Sequence, residues 1–134
     1  MAVSIPQSHM DLFQKKAFAH LAVKLESGSI QVNPVWCDHD GTHVVINSAQ
    51  GRAKDKAMRA NPVVTLCISD PDNPYRYLEV RGKVVDISTQ GADAHIDAMA
   101  KKYMGLDTYP LRKAGEVRVI YRIAPERAAG YPAA

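Results

Sequence analysis

The chain has 134 residues, 46% apolar and 23% charged, with a formal net charge of +3. That length and balance suit a single domain spanning 1–134 and exclude a disordered chain. No apolar run approaches the roughly 20 residues that cross a bilayer, and Met1 to Lys16 lacks the charged-then-apolar order of a secretory signal. The cytoplasm is the expected location. Cys37 and Cys67 stand apart and form no CxxC, so both are expected to pack as small hydrophobes rather than pair or bind metal. The bases gather in one segment. Gly51 to Arg59 holds Arg52, Lys54, Lys56 and Arg59 against Asp55 alone, and the remaining charges cancel. A nucleic-acid groove would instead interleave bases with aromatics, so no nucleic-acid partner is expected.

In chain order, Pro6 suits a first helical turn with Ser4 as its cap, and that helix is predicted to run to about Lys15. Phe18 to Leu25 alternates as a half-buried strand, with Leu21, Val23 and Leu25 on one face. Ser27-Gly28 reads as a hairpin turn, and Ile30 to Cys37 returns. Pro34 lacks an N–H, so it marks an edge, a bulge or a place where something other than a strand lies alongside. Trp36 shares parity with Ile30 and Val32 and is expected in the core. Asp38 to Gly41 reads as a turn, and Thr42 to Asn47 as a third strand. A short basic helix follows and stops at Asn61-Pro62.

Val63 to Ser69 is the fourth strand and Pro71 to Pro74 a turn. Tyr75 to Ile87 is long for one strand, and Gly82 with Val84-Val85 suggests a bulge that bends it. Ala92 to Met104 reads as a helix with the apolar stripe Ile96, Met99, Ala100 and Tyr103. Tyr109 to Gly115 is loop, and Val117 to Ile123 is the last strand. Tight turns between neighbours imply antiparallel pairing. The expected fold is mainly β, with an α+β minority: a six-stranded antiparallel barrel with short flanking helices.

On the basic helix, Arg52, Lys56 and Arg59 share one stripe, and Ala53, Ala57 and Ala60 a second, suited to packing. Lys54 falls on neither and turns toward the body of the protein. An inward lysine is costly without an anionic partner, and helix N-terminal amides add positive potential there. Asn47, Ser48 and Gln50 offer neutral donors just before it. Together these make a cradle for phosphate or carboxylate. His20, His43 and His95 are scattered without ligand spacing, so no metal site is expected.

Five pieces in order carry a resemblance: Asn33-Pro-Val-Trp36, Val44-Val-Ile-Asn47-Ser48, Gly51-Arg-Ala-Lys54, Arg59-Ala-Asn-Pro-Val-Val64 and Glu79-Val-Arg-Gly82. The chain resembles the FMN-binding split β-barrel proteins, which include pyridoxamine 5'-phosphate oxidase relatives and actinobacterial oxidoreductases that use coenzyme F420, a 5-deazaflavin. The small size and the Arg-Ala-Lys piece look most like the deazaflavin branch. The resemblance implies a homodimer with the cofactor between two barrels. Arg52 and Lys54 would bind its phosphate, Asn47 and Ser48 the phosphate or ribityl chain, and Asn33, Pro34 and Val35 would lie along the ring. Tyr75 and Tyr77 would reach the site from the partner subunit. Lys56 and Arg59 would follow the anionic tail of the deazaflavin.

The implied activity is hydride transfer from reduced F420 to an electron-poor double bond of a small organic substrate, where the cofactor supplies the chemistry and the protein supplies orientation. No catalytic side chain is assigned. An FMN-binding oxidase or reductase is the alternative, and a non-catalytic flavin- or haem-binding module is a third possibility. The C-terminal substrate-binding extension of the pyridoxamine-phosphate oxidases has no counterpart here, so vitamin B6 oxidation is not expected.

Overall fold

A computed structural model describes residues 2–133. A 3-10 helix (Gln7–Phe13) leads into β1 (Ala19–Lys24), β2 (Ile30–Val35), β3 (Asp38–His39), β4 (Val44–Ala49), α1 (Ala53–Ala60), β5 (Val63–Asp70), β6 (Asn73–Ser88), α2 (Ala92–Met104) and β7 (Arg118–Tyr131). Alternating apolar residues fold these strands into one curled sheet ordered β2-β1-β5-β6-β7-β4-β3. Every adjacent pair is antiparallel. This is the split barrel, with seven strands rather than six. The extra strand is Asp38–His39, which pairs with Val44 and Val45 where a turn was expected. The turn begins two residues later. Asp40 Oδ1 accepts from the Thr42 and His43 amides, and Gly41 takes the positive φ the reversal needs.

The longest strands join the two halves. The β6–β7 register slips between Arg81 and Gly82 and between Val84 and Asp86. Val85 is the extra residue of the second slip and is exposed, as the apolar doublet suggests. Gly82 sits where any Cβ would strike the Ala124 carbonyl. β7 continues eight residues past the expected end, to Tyr131. Pro125 and the small residues Ala128, Ala129 and Gly130 hide that extension from a propensity reading, and pairing with Tyr77 to Gly82 creates it.

Three other expectations change. The first helix is 3-10, begins at Gln7 after Pro6, and has no side-chain cap, so Ser4 does not cap it. It is held by packing: His9, Leu12 and Phe13 are buried, and the His9 ring lies against Gly130. The inward face of α1 is Asp55, Ala57 and Met58, while Ala53 and Ala60 are exposed. The bulk of Met58 and the hydrogen bonds of Asp55 fix that rotation, not the row of small alanines.

The core fills the barrel with Leu21, Ile46, Leu66, Ile68, Leu78, Val80, Tyr121 and Ile123. α2 covers the outer face of β4 and β7, where Val45, Ala92 and Ile120 form a second cluster. Both faces of β4 are therefore covered, and its residue Asn47 is enclosed between sheet and helix.

Candidate anion-binding cleft

The cleft lies where the end of β2, the end of β4, the start of α1 and the loop before β7 meet. Gly51 takes a φ of +90°, and the chain turns there from β4 into α1. Asp55 secures the turn from inside. Its carboxylate accepts from the Gly51 amide at 2.9 Å, the Tyr121 hydroxyl at 2.6 Å and Arg59 Nε at 3.0 Å. Burial pushes this carboxyl up, but those three donors outweigh it and hold it below the usual carboxylate range. Burial and the Asp55 carboxylate push the Tyr121 phenol upward in turn.

With the turn fixed, Arg52 and Lys54 face the cleft. Lys54 is half-buried and donates to Asn33 Oδ1 at 3.1 Å. No carboxylate among the described residues pairs with it. Burial, and then the positive charges of Arg52 and Arg118, push its ammonium below the ordinary lysine value. Ser48 is 2% exposed, and its hydroxyl has no hydrogen-bond partner among the described residues. Arg118 enters from β7 with a side chain only 3% exposed and bonds Glu116 at 3.0 Å. The same carboxylate lies 3.4 Å from Arg52. Glu116 thus serves two of the three cations, and Lys54 has no acid among the described residues.

The opposite wall is apolar. Trp36 is half-buried there and not in the core. It stacks on Tyr103 with centroids 5.1 Å apart and planes 6° from parallel, and it meets the edge of Tyr109 at 6.0 Å. Pro34, Val35, Phe18, Ile96 and Leu111 complete the wall. A flat ring could lie against this wall with its anionic group at Lys54. The cleft measures about 190 Å³. That is below the roughly 300–1,000 Å³ of pockets that enclose a ligand of that size, so one chain supplies only part of an enclosure.

The structure brings together Asn33, Pro34, Val35, Asn47, Ser48, Arg52 and Lys54. It sets the others apart. Lys56 borders a separate depression with Leu25 and Glu26, and Arg59 is held by Asp55. Tyr75 is exposed, and Tyr77 stacks on Tyr131 with centroids 5.5 Å apart. Neither lines the cleft of its own chain. Gln50 is exposed, with its amide bonded to the Val117 carbonyl. Sequence reasoning missed Arg118, Tyr109 and Leu111. Arg118 gave a signal, a charged residue amid Val117, Val119 and Ile120, but its face of β7 is recognisable as covered only once α2 is seen to lie over it.

Residues 5–131 match the pyridoxamine 5'-phosphate oxidase family. Among solved structures, the chain is similar to an F420 reductase, at 32% identity and a TM-score of 0.81, covering 93% of this chain and 98% of that one. It shares its fold with a conserved hypothetical protein from Mycobacterium tuberculosis, at 17% identity and a TM-score of 0.73, over 96% of this chain and 85% of that one. It also shares its fold with PhzG from Burkholderia lata, at 15% identity and a TM-score of 0.63, over 90% of this chain and 71% of that one. A comparison with curated proteins found no match. The chain belongs to the pyridoxamine 5'-phosphate oxidase-like split-barrel family of flavin- and deazaflavin-binding oxidoreductases, in its F420 branch.

Proposed function

We propose that the protein is a coenzyme F420-dependent oxidoreductase that works as a homodimer. When bound and reduced, the deazaflavin would supply a hydride to an electron-poor double bond of a small organic substrate, with the balancing proton drawn from solvent. The remaining work belongs to the chain. Lys54 and Arg52 hold the phosphate, and Ser48 offers its free hydroxyl to the phosphate or ribityl chain. Asn33 steadies Lys54, while Pro34, Val35 and Trp36 present a flat wall to the ring. Asn47 is nearby, but its amide is occupied within the protein. Lys56 and Arg59 lie beyond the cleft, where a long anionic tail could pass.

The observation that carries this reading is the surplus of donors in the cleft. A buried hydroxyl without a partner and a half-buried ammonium without a carboxylate are each costly, and a bound phosphate satisfies both. The dimer supplies the missing wall. Ile30 and Val32 of β2 and Val63 of β5 are 61%, 58% and 53% exposed on the outer face of the sheet, an apolar surface suited to a second copy. Tyr75 and Tyr77 would then reach the partner's cleft. Two free cysteines, Cys37 and Cys67, fit a reducing cytoplasmic setting. No helix among the described residues is long and apolar enough to cross a membrane.

The test is a pair of fluorescence titrations with F420 and with FMN. Preferential binding of the deazaflavin supports the proposal. Purified protein saturated with FMN and without deazaflavin affinity would make it an FMN enzyme instead.

A further inference from the structure

Asn47 is bonded on every side. Its Oδ1 accepts from Arg118 Nε at 2.9 Å. Its Nδ2 donates to the Ala92 carbonyl at 2.9 Å and lies 3.1 Å from His95 Nδ1. His95 Nε2 lies 3.1 Å from Asp38 Oδ2. Chemistry fixes the direction of each bond in this row. Arginine Nε only donates and a carbonyl only accepts, so the Asn47 amide cannot be turned round. Its second hydrogen therefore points at His95 Nδ1, which must offer a lone pair. The ring proton then sits on Nε2 and is donated to Asp38. Neutral imidazole satisfies the whole row; imidazolium keeps its bond to Asp38 but sets a second N–H against the Asn47 amide.

Arg118 ends this row inside the cleft. Its guanidinium lies 5.1 Å from the centre of the Tyr109 ring and bonds Glu116 and Asn47. A guanidinium has more N–H donors than these contacts use, and Arg118 lines the same space as Lys54 and Ser48. We propose that Arg118 is an anion-binding arm of the cleft, taking a phosphate or carboxylate of the ligand, and that Asn47, His95 and Asp38 are positioning residues that aim it only while His95 is neutral. The proposal rests on the anion-binding reading of the cleft given above.

The groups around His95 set the sign of the effect. Asp38 faces the ring from β3, Lys102 lies beyond it on α2 with its ammonium on the Phe13 and Cys37 carbonyls, and Arg118 with Glu116 stands behind Asn47 on the β7 side. Burial pushes the Asp38 carboxyl up, but its bonds to His95 and the His39 amide and the charge of Lys102 hold it below the usual carboxylate range, so it stays ionised down to acid pH. Protonating His95 sets N–H against N–H at Asn47. Turning the amide then sets its NH₂ against Arg118 Nε and its oxygen against the Ala92 carbonyl. The first pushes the Asn47 amide away from His95 and the second breaks its bond to Arg118, so in both the amide no longer aims the guanidinium and anion binding weakens. Simple charge attraction gives the opposite sign, because a new cation near the cleft favours anions.

Sulfate is the probe, because it keeps its charge throughout the histidine range. Its affinity is read from the Arg118 Nε–H and Asn47 amide resonances at about pH 8 and about pH 5.5. In Arg118→Met and His95→Gln the Asn47 amide serves as reporter. Native binding should weaken about three- to tenfold on acidification, as for loss of one charge-assisted hydrogen bond. Arg118→Met should bind at least about tenfold more weakly at the higher pH. His95→Gln can still donate to Asp38 and never charges, so it should bind equally at both pH values. It lies outside the cleft lining and keeps the test open should Arg118→Met fail to fold. Histidine nitrogen shifts should place the neutral proton of His95 on Nε2. Tighter sulfate binding at the lower pH, undiminished binding in Arg118→Met or a neutral Nδ1–H tautomer would each overturn the proposal. A parallel F420 titration separates the two ideas. F420 binding that survives Arg118→Met removes the arm and leaves the cofactor assignment standing. A proton-linked sulfate site in a protein that binds no F420 does the reverse.

Discussion

Two charged regions of this protein have opposite balances. Beside the 3-10 helix, Lys15 and Arg76 meet Asp11, Asp70 and Asp72. Arg76 bonds Asp11 at 2.6 Å and Asp70 at 2.8 Å, and Lys15 bonds Asp70 and Asp72 at 3.1 Å each. In the cleft, Arg52, Lys54 and Arg118 have Glu116 alone. The first region ties the N-terminal helix to the β5–β6 turn, and every charge in it has a partner. Among the described residues, the second leaves the Lys54 ammonium without a carboxylate and the Ser48 hydroxyl without a hydrogen bond. Opposite shifts follow. The Asp72 amide and the Arg76 guanidinium hold the Asp70 carboxyl down at about 2, while burial and its cationic neighbours push Lys54 below its ordinary value. Matched charge stabilises the fold, and surplus charge is where we propose that a ligand completes the set.

The largest effect should come from the surplus. Lys54→Met should weaken cofactor binding about ten- to a hundredfold, the loss of one charge-assisted bond worth about 1.5–3 kcal/mol. The same change should leave the unliganded protein at least as stable, since it removes a poorly compensated buried charge. Thermal melts with and without cofactor check both halves, and a destabilised empty protein would break the comparison. Arg76→Met should do the opposite. It should lower stability by about 1–3 kcal/mol through lost bonds to Asp11 and Asp70 and leave cofactor affinity within about twofold. A tenfold loss of affinity would mean that the two regions are coupled.

How far these regions were legible in the sequence differs for physical reasons. Lys54 could be read from helical geometry, because a short helix fixes direction within a few residues. The strand and helix order could be read from alternation, and α2 falls at Ala92–Met104 as its apolar stripe predicts. Arg76 lies in an expected strand and Asp11 in the expected first helix, with no local sign that the two, 65 positions apart, would meet. Trp36 was misassigned because parity within β2 does not say which face is covered, and Ile30 and Val32 of the same parity are exposed. Asp55 was counted only as an offset to the nearby bases, although it anchors the whole turn from the inside.

Acid should separate the regions further. The folded Asp70 carboxyl is depressed, so its contribution is complete above the unfolded carboxylate value near about 4 and fades as pH falls toward about 2. Melting temperature should drop through that window, and Asp70→Asn should flatten the drop. An unchanged acid profile in Asp70→Asn would mean that other carboxylates dominate acid unfolding. The smallest effect belongs to the outer stripe. Lys56→Ala should change affinity for F420 by no more than about 0–1 kcal/mol, with any effect shrinking as salt rises through about 0.1–1 M. Affinity compared across deazaflavins of different tail length detects it. No dependence on tail length would exclude Lys56 and Arg59 from binding.

The most direct test is a crystal structure of the protein with F420. The phosphate is expected within hydrogen-bond reach of Lys54, Arg52 and the Ser48 hydroxyl, with the ring along Pro34 and Val35 and a second copy of the chain closing the cleft. A phosphate bound at Lys15 and Arg76, or a ring seated away from Pro34 with Lys54 still bonded only to Asn33, would contradict it.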